Sequence, residues 1–290
     1  MKKIFLILFL LIPAAAISQS NDELAPVTTT QVAPGVFRLF VNERVATALF
    51  VGADGVMLID AAYEQTAPQL KAAIEALTNE PIQYLVNTHH HGDHVGGNVE
   101  LGSNVTIIAH QFVKDYVSTE HRAGERVIPA MEKQGWPGIT FSDEMNLDFN
   151  GQTLQMIHLP KGHTAGDIII YFPASKVLVA GDLLFADNFP YVDVSSGGDP
   201  MGYLKNQQYI LENFPADLTV IGGHGPIYNM ERLSEYHAEL QKTVEVVRQA
   251  KQQGMTAEQM KANRILKDWE AWGKFFITED RWIDTLFPVL

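Results

Sequence analysis

Four histidines and an aspartate fall within six residues of the run Thr88-His89-His90-His91-Gly92-Asp93-His94-Val95-Gly96-Gly97-Asn98. Imidazole and carboxylate together bind Zn²⁺, Fe or Mn, and zinc is the usual occupant of a histidine-rich site. The sequence contains no cysteine. Any metal site must therefore be built from His and carboxylates, and no disulfide or lipidated Cys is available. A regular helix or strand would splay these side chains. A loop just past a strand can turn them towards one point, and the small Gly96-Gly97 pair lets the next helix start close by.

A histidine-rich run can also be an adventitious surface scavenger of metal. Three further placements weigh against that reading. His163 sits in Gly162-His163-Thr164-Ala165-Gly166-Asp167, Asp182 follows Gly181, and His224 lies in Gly222-Gly223-His224-Gly225-Pro226. Singly, each would pass as an ordinary loop residue. Each is set among small residues just past a β-prone run, so all could converge at one sheet edge.

The elements that must position them read as alternating strands and helices. Strands are expected at 36–41, 46–51 and 56–59, the last two around the turn Ala53-Asp54-Gly55. Thr66 can cap a helix carrying Leu70, Ala73, Ile74 and Leu77. Strands at 82–86 and 105–109 and a helix at 111–117 complete a first half. From 118 to 140 the pattern breaks at Gly124, Pro129, Gly135, Pro137 and Gly138, which predicts a helix-and-loop excursion with Trp136 near its tip.

A hairpin around Asn150-Gly151 opens the second half, followed by strands at 168–172 and 176–180. A helix at 201–214 and a strand at 218–221 close it. Helices at 233–250 and 257–262 and an aromatic-rich tail follow. Two β-rich halves packed face to face with helices outside predict a four-layer α/β sandwich with a C-terminal helical extension from about 230. No linker marks a second domain, so 19–290 is expected to form one.

Lys2 and Lys3 precede a short apolar run and the small residues Ala14, Ala15, Ala16 and Ser18, as in a secretory signal peptide. Residues 1–18 are assigned to it, with cleavage between Ser18 and Gln19. The run is about 14 residues, short of the roughly 20 that span a bilayer. The expectation is a secreted, periplasmic protein with no stable membrane anchor after cleavage. Net charge is −13, and loss of Lys2 and Lys3 would leave 19 basic against 34 acidic residues, or −15. Such a surface repels phosphate backbones, so nucleic acid is excluded as a partner.

The H-x-H-x-D-H run, followed in order by His163, Asp182 and His224, resembles the metallo-β-lactamase superfamily across 36–226. The resemblance implies an αββα sandwich holding two zinc ions per chain, with Fe or Mn as substitutes. It implies His89, His91 and His163 as ligands of one metal, Asp93, His94 and His224 of the other, and Asp182 as the bridge. Two such ions lower the pKa of a shared water towards about 7, and Asp93 is the catalytic residue expected to orient the hydroxide and shuttle its proton. The substrate implied is a small molecule: an ester, thioester, lactone or β-lactam.

Asp182 stands where many β-lactamases of the superfamily have Cys or Ser. Phe185 stands where the best-known group has a carboxylate-binding Lys. Asp182 is instead similar to the thioesterase, glyoxalase II-like, lactonase and phosphodiesterase branches. Two other readings keep the same residues: an iron-dependent, persulfide dioxygenase-like oxidoreductase using two His and one carboxylate, and a non-catalytic periplasmic metal-binding protein. Of the remaining histidines, His90 is expected beside the ligands or facing solvent. His158 is read as reaching the cleft or lying on a strand surface, and His110, His121 and His237 as exposed. Trp269, Trp272, Phe275, Phe276 and Trp282 either staple the tail to the sandwich or, with Trp136 and Tyr191, wall an apolar pocket. Residues 191–200 read as a flexible loop beside Asp182.

Overall fold

The computed structural model describes residues 26–123 and 126–290. The signal peptide expected at 1–18 lies outside the described residues. The first half runs β1 (Thr28–Ala33), β2 (Val36–Val41), β3 (Val45–Gly52), β4 (Gly55–Ile59), α1 (Ala67–Glu75), β5 (Ile82–Asn87), the short helices α2 (Gly92–Val95) and α3 (Asn98–Leu101), β6 (Thr106–His110) and α4 (Gln111–Val117). A small hairpin, β7 (His121–Ala123) and β8 (Arg126–Ile128), and strand β9 (Ile139–Phe141) follow. The second half comprises β10 (Glu144–Phe149), β11 (Gln152–His158), β12 (Ile168–Phe172), β13 (Val177–Phe185), α5 (Pro200–Asn213), β14 (Thr219–His224) and β15 (Tyr228–Asn229). The chain ends with α6 (Met230–Gln252), α7 (Ala257–Ala262) and α8 (Glu279–Leu286).

Seven strands form one sheet in the order β1-β2-β3-β4-β5-β6-β9, and six form the other in the order β10-β11-β12-β13-β14-β15. Alternate side chains leave a strand on opposite faces, and here both faces are apolar. Met57, Ile59, Val86 and Ile108 meet Met156, Ile168, Ile170 and Ile221 between the sheets. Their neighbours Val56, Leu58, Leu85 and Ile107 pack outward on Leu70 and Ile74 of α1. On the other side Ile169, Leu178 and Val220 pack against Tyr203, Leu233, Leu240 and Val244 of α5 and α6. This is the expected four-layer sandwich with its C-terminal helices, and burial on both faces explains the near-continuous apolar strands.

Three expectations need correcting. The described residues of 118–140 hold no α-helix: a hairpin, one 3₁₀ turn at Lys133–Gly135 and the edge strand β9 replace it. Three-residue strands carry too little alternation to be read from sequence. Asp182 lies inside β13 and His224 ends β14, rather than following their strands. His237 is buried on α6, and His110 and His121 are half-buried rather than exposed. His237 continues the apolar stripe of Leu233, Leu240, Val244 and Val247, so its burial was readable from the helical period.

The tail is stapled as the first of its two readings held. Trp282 is fully buried, donates from Nε1 to Thr243 Oγ1 at 2.9 Å, and stacks on Phe189. Trp269 Nε1 donates to Glu239 Oε2 at 2.9 Å, and Trp272 packs on Tyr236 with ring centres 4.9 Å apart. Among the described residues no helix is long and apolar enough to cross a membrane.

Candidate metal centre

The candidate side chains are delivered by strands β13 and β14, by the short helix α2 and by the loops beside them. Past β5, Thr88 is fastened by its N and Oγ1, which donate to Asp60 Oδ1 at 2.8 Å and Oδ2 at 2.7 Å. The chain then turns through His89 to His91 into α2, whose first turn carries Asp93 and His94. From the second sheet, β13 is distorted at Gly181, where φ is +51° and an added Cβ would lie 2.7 Å from the Thr88 side chain. That distortion aims Asp182 across the seam between the sheets. The His163 loop is shaped by Thr164, whose N donates to Asp167 Oδ2 at 2.9 Å and whose Oγ1 donates to Oδ1 at 2.5 Å. Gly223 precedes His224, and a Cβ there would fall 1.9 Å from Asp182 Oδ1. Only glycine leaves room for the carboxylate.

The seven residues converge as two sets. His89 Nε2, His91 Nδ1 and His163 Nε2 lie 3.1, 2.8 and 3.2 Å from one another. Asp182 Oδ2 is 3.3 Å from His163 Nε2 and 3.8 Å from His89 Nε2. A tetrahedral ion with Zn–N bonds of about 2.0–2.1 Å has ligand-to-ligand edges of about 3.3 Å, so these atoms are spaced as one coordination polyhedron. In the second set Asp93 Oδ2 lies 3.4 Å from His224 Nε2 and 3.7 Å from His94 Nε2. Asp182 reaches this set too, with Oδ1 3.1 Å from His94 Nε2 and Oδ2 3.3 Å from His224 Nε2. His94 Nε2 and Asp182 Oδ1 are both buried and neither has a hydrogen bond. A divalent cation satisfies both atoms, and the donor set suits zinc.

Every histidine of the seven is fixed through its other ring nitrogen. His89 Nδ1 meets Thr88 Oγ1 at 3.1 Å, His94 Nδ1 meets Asp60 Oδ2 at 2.7 Å, and His91 Nε2 meets Asp193 Oδ2 at 3.1 Å. His163 Nδ1 meets the Tyr191 carbonyl at 2.7 Å and His224 Nδ1 the Arg44 carbonyl at 2.6 Å. Protons held at those oxygens leave the converging nitrogens as lone pairs, which is how ligating histidines are oriented. Asp60 and Asp193 escaped the sequence reading. Asp60 ends the run Leu58-Ile59-Asp60, and an acid closing a buried strand was the signal available.

Charge in the site is organised around Asp182. Burial alone would raise its carboxyl, but His224, His94, His163 and His89 hold it well below the usual range. Burial pushes His163 down to about 3 and His89 well below its ordinary value, so both are neutral donors. Burial would lower His94 and His224 too, yet Asp182 outweighs it, aided by Asp60 at His94, and His224 rises to about 10. Those are the protons a metal ion displaces on binding.

The set opens onto a cleft of 780 Å³ lined by Asp93, Asp182, His91 and His224, by Phe185 and Tyr191, and by the segments 42–44 and 274–276. Phe185 is buried and stacks on His224, ring centres 4.7 Å apart. The second reading of the tail thus holds for Phe275, Phe276 and Tyr191 only. Trp136 packs beside Val95, Ala109, Val113 and Val117 with Nε1 donating to Met131 O, away from the cleft. His158 ends β11 stacked on His110 and does not line the cleft. His90 is buried rather than solvent-facing, its ring 3.9 Å from Tyr116. The 191–200 segment is a built turn: Asp193 Oδ1 accepts from Ser195 Oγ at 2.5 Å and Ser196 N at 3.1 Å.

Asp60→Ala should weaken zinc binding about 10–100-fold, because it frees the His94 ring and unpairs Thr88 while removing no converging atom. Zinc competition against a chromophoric chelator checks this, and unchanged affinity would show that Asp60 does not orient His94.

Comparison with known proteins agrees with this geometry. Residues 41–224 match the family model of the metallo-beta-lactamase superfamily. The chain is 24% identical over 238 residues to a metallo-beta-lactamase type 2 of Bacteroides fragilis, covering 78% of this chain and 90% of that protein. It is 30% identical over 216 residues to a hydroxyacylglutathione hydrolase of Synechococcus sp., covering 68% and 76% respectively. The fold of a metallo-beta-lactamase from Pontibacter korlensis superposes with a TM-score of 0.60 at 21% identity, over 74% of this chain and 99% of that one. The chain belongs to the metallo-beta-lactamase superfamily, and its clustered histidines and aspartates are those of a metal-dependent hydrolase.

Proposed function

We propose that the protein is an exported dinuclear zinc hydrolase that cleaves a small ester, thioester, lactone or β-lactam. The observation that carries this reading is the placement of Asp182, one carboxylate within 3.8 Å of four imidazole nitrogens divided between two sets. An iron-dependent oxidoreductase using two histidines and one carboxylate would leave part of that convergence without a purpose. The relatives, one a metallo-beta-lactamase and one a hydroxyacylglutathione hydrolase, keep both acyl chemistries in range. Phe185, packed flat on His224, offers no cation where one would hold a lactam's carboxylate, which favours the ester and thioester side.

When bound, the metal supplies a Lewis acid for the scissile carbonyl and a water made acidic near neutral pH. The residues do the rest. Asp93 lines the cleft, and His94 and His224 hold its carboxyl below the usual range against the opposing effect of burial. An acid that weak in proton affinity orients the attacking water as a hydrogen-bond acceptor and passes its proton on. His91, held by Asp193, and His224, held by the Arg44 carbonyl, fix the two sides of the cleft floor. The buried seam between the sheets keeps bulk water from the rear of the site.

Asp182→Ala should lose both zinc ions' worth of affinity and nearly all turnover, whereas His90→Ala should retain the metal and lose no more than about 100-fold in rate. His90's ring nitrogens have no hydrogen-bond partner and join neither set that contains the seven converging residues, grouping instead with His91 and Asp193, whose Oδ2 lies 4.0 Å from His90 Nε2. Metal analysis and turnover of both variants on an ester, thioester, lactone and lactam panel test the assignment. Zinc loss in His90→Ala with a normal Asp182→Ala would overturn it. Export is supported by Lys2, Lys3 and the apolar run after them. N-terminal sequencing of the protein from its native cell should begin near Gln19, and an intact Met1 in the cytoplasmic fraction would contradict export.

A further inference from the structure

Outside the residues that could hold metal, the cleft has an outer wall with no evident role in holding the fold together. Residues 274–276, Lys-Phe-Phe, form a strap between the 3₁₀ segment Lys267–Lys274 and α8. Phe275 and Phe276 are 41% and 49% exposed, and among the described residues no other phenylalanine is exposed. Leaving two adjacent phenyl rings half in water forgoes apolar burial that folding would otherwise gain. Yet the strap is held firmly. Ile277 beyond it is buried, Trp272 O before it accepts from Phe189 N at 3.1 Å, and Arg281 Nη1 donates to Phe276 O at 3.1 Å with its guanidinium over the Phe276 ring.

The rings are aimed at the metal centre. Phe275 lies 5.6 Å from the His224 ring, and Phe276 meets Tyr191 edge-on at 5.5 Å, with Tyr191 in turn 5.6 Å from His91. An apolar wall therefore runs along both halves of the site. The rim beside it carries two cations, Lys274 and Arg44, against the single carboxylate of Glu43. Among the described residues neither cation has an ion-pair partner. The Arg44 carbonyl holds His224 from one side while Phe275 covers it from the other. On a chain of net charge −13, a cationic rim over an aromatic wall is a local exception. The family model matches residues 41–224, so the strap lies outside the part that the model covers.

We propose that the strap Lys274-Phe275-Phe276 is the specificity-determining element of the cleft, selecting acyl compounds that carry an aryl or comparably bulky apolar group together with a carboxylate. The apolar group lies on Phe275, Phe276 and Tyr191, and the carboxylate lies at Lys274 and Arg44. This deepens the hydrolase reading by naming its substrate class, but its test is binding and needs no turnover.

Zinc-loaded protein is titrated calorimetrically with 4-phenylbutyrate and with butyrate. Phenylbutyrate should bind at least tenfold tighter, the order expected for burying a phenyl ring. Phe275→Ala/Phe276→Ala should erase most of that preference while leaving butyrate affinity within about twofold, which also shows that the fold and rim survive. Lys274→Gln should weaken both ligands alike, by about threefold or more, as loss of one charge at a partly solvated rim implies. The proposal is overturned if wild type shows no phenyl preference, if the double variant keeps it, or if Lys274→Gln changes neither affinity. A panel without turnover alongside a strap-dependent phenyl preference would sink the hydrolase reading and leave this one standing.

Discussion

A carboxylate removed from water costs several kcal/mol unless opposite charge and hydrogen bonds replace its hydration. Asp182 is 4% exposed, and the groups around it are imidazole nitrogens rather than backbone amides or arginines. Much of the molecule follows from keeping that carboxylate ionised in place. Gly181 bends its strand, Gly223 leaves the space it fills, and the histidines that surround it come from both sheets. Removing any one of them leaves a buried charge less compensated, so metal binding and folding are coupled at this point.

The same constraint explains where the oxygens behind the histidines come from. Asp60 directly follows β4 of the first sheet, while the Arg44 carbonyl belongs to the β2–β3 turn and supports His224 of the second. The Thr88 carbonyl accepts from Ile168 N at 2.9 Å, and Arg38 Nη2 donates to the Gly225 carbonyl at 2.6 Å. The metal site is thus a seam whose two sides hold each other in register, and the cleft opens where the seam meets solvent. The strap 274–276 is tied to α8 through Arg281 and to the segment after β13 through Phe189, and it contributes none of the converging atoms.

What the sequence made legible was whatever carries its own chemistry or period. The run from His89 to His94, followed in order by His163, Asp182 and His224, matched a family pattern, and that order gave the seven converging residues although each of the last three would singly pass as an ordinary loop residue. The doubly apolar strands gave the layers. What remained hidden depends on contacts distant in sequence. Asp60 sits 34 positions from His94 and Asp193 102 positions from His91, while the Tyr191 and Arg44 carbonyls leave no trace in residue type. Strand β9 and the β7–β8 hairpin are too short for periodicity to register. The tail aromatics divided by anchoring: Trp269, Trp272 and Trp282 found donors or rings on the body of the fold, and Phe275 and Phe276 had no polar handle to be buried with.

If the Asp182 carboxylate organises two metal positions, the number of ions held per chain reports it. Full-length protein stripped by chelation, reloaded with zinc and desalted should hold two zinc ions per chain by elemental analysis. One zinc per chain, or a single tightly held iron with no uptake at a second position, would show that Asp182 does not serve two metal positions.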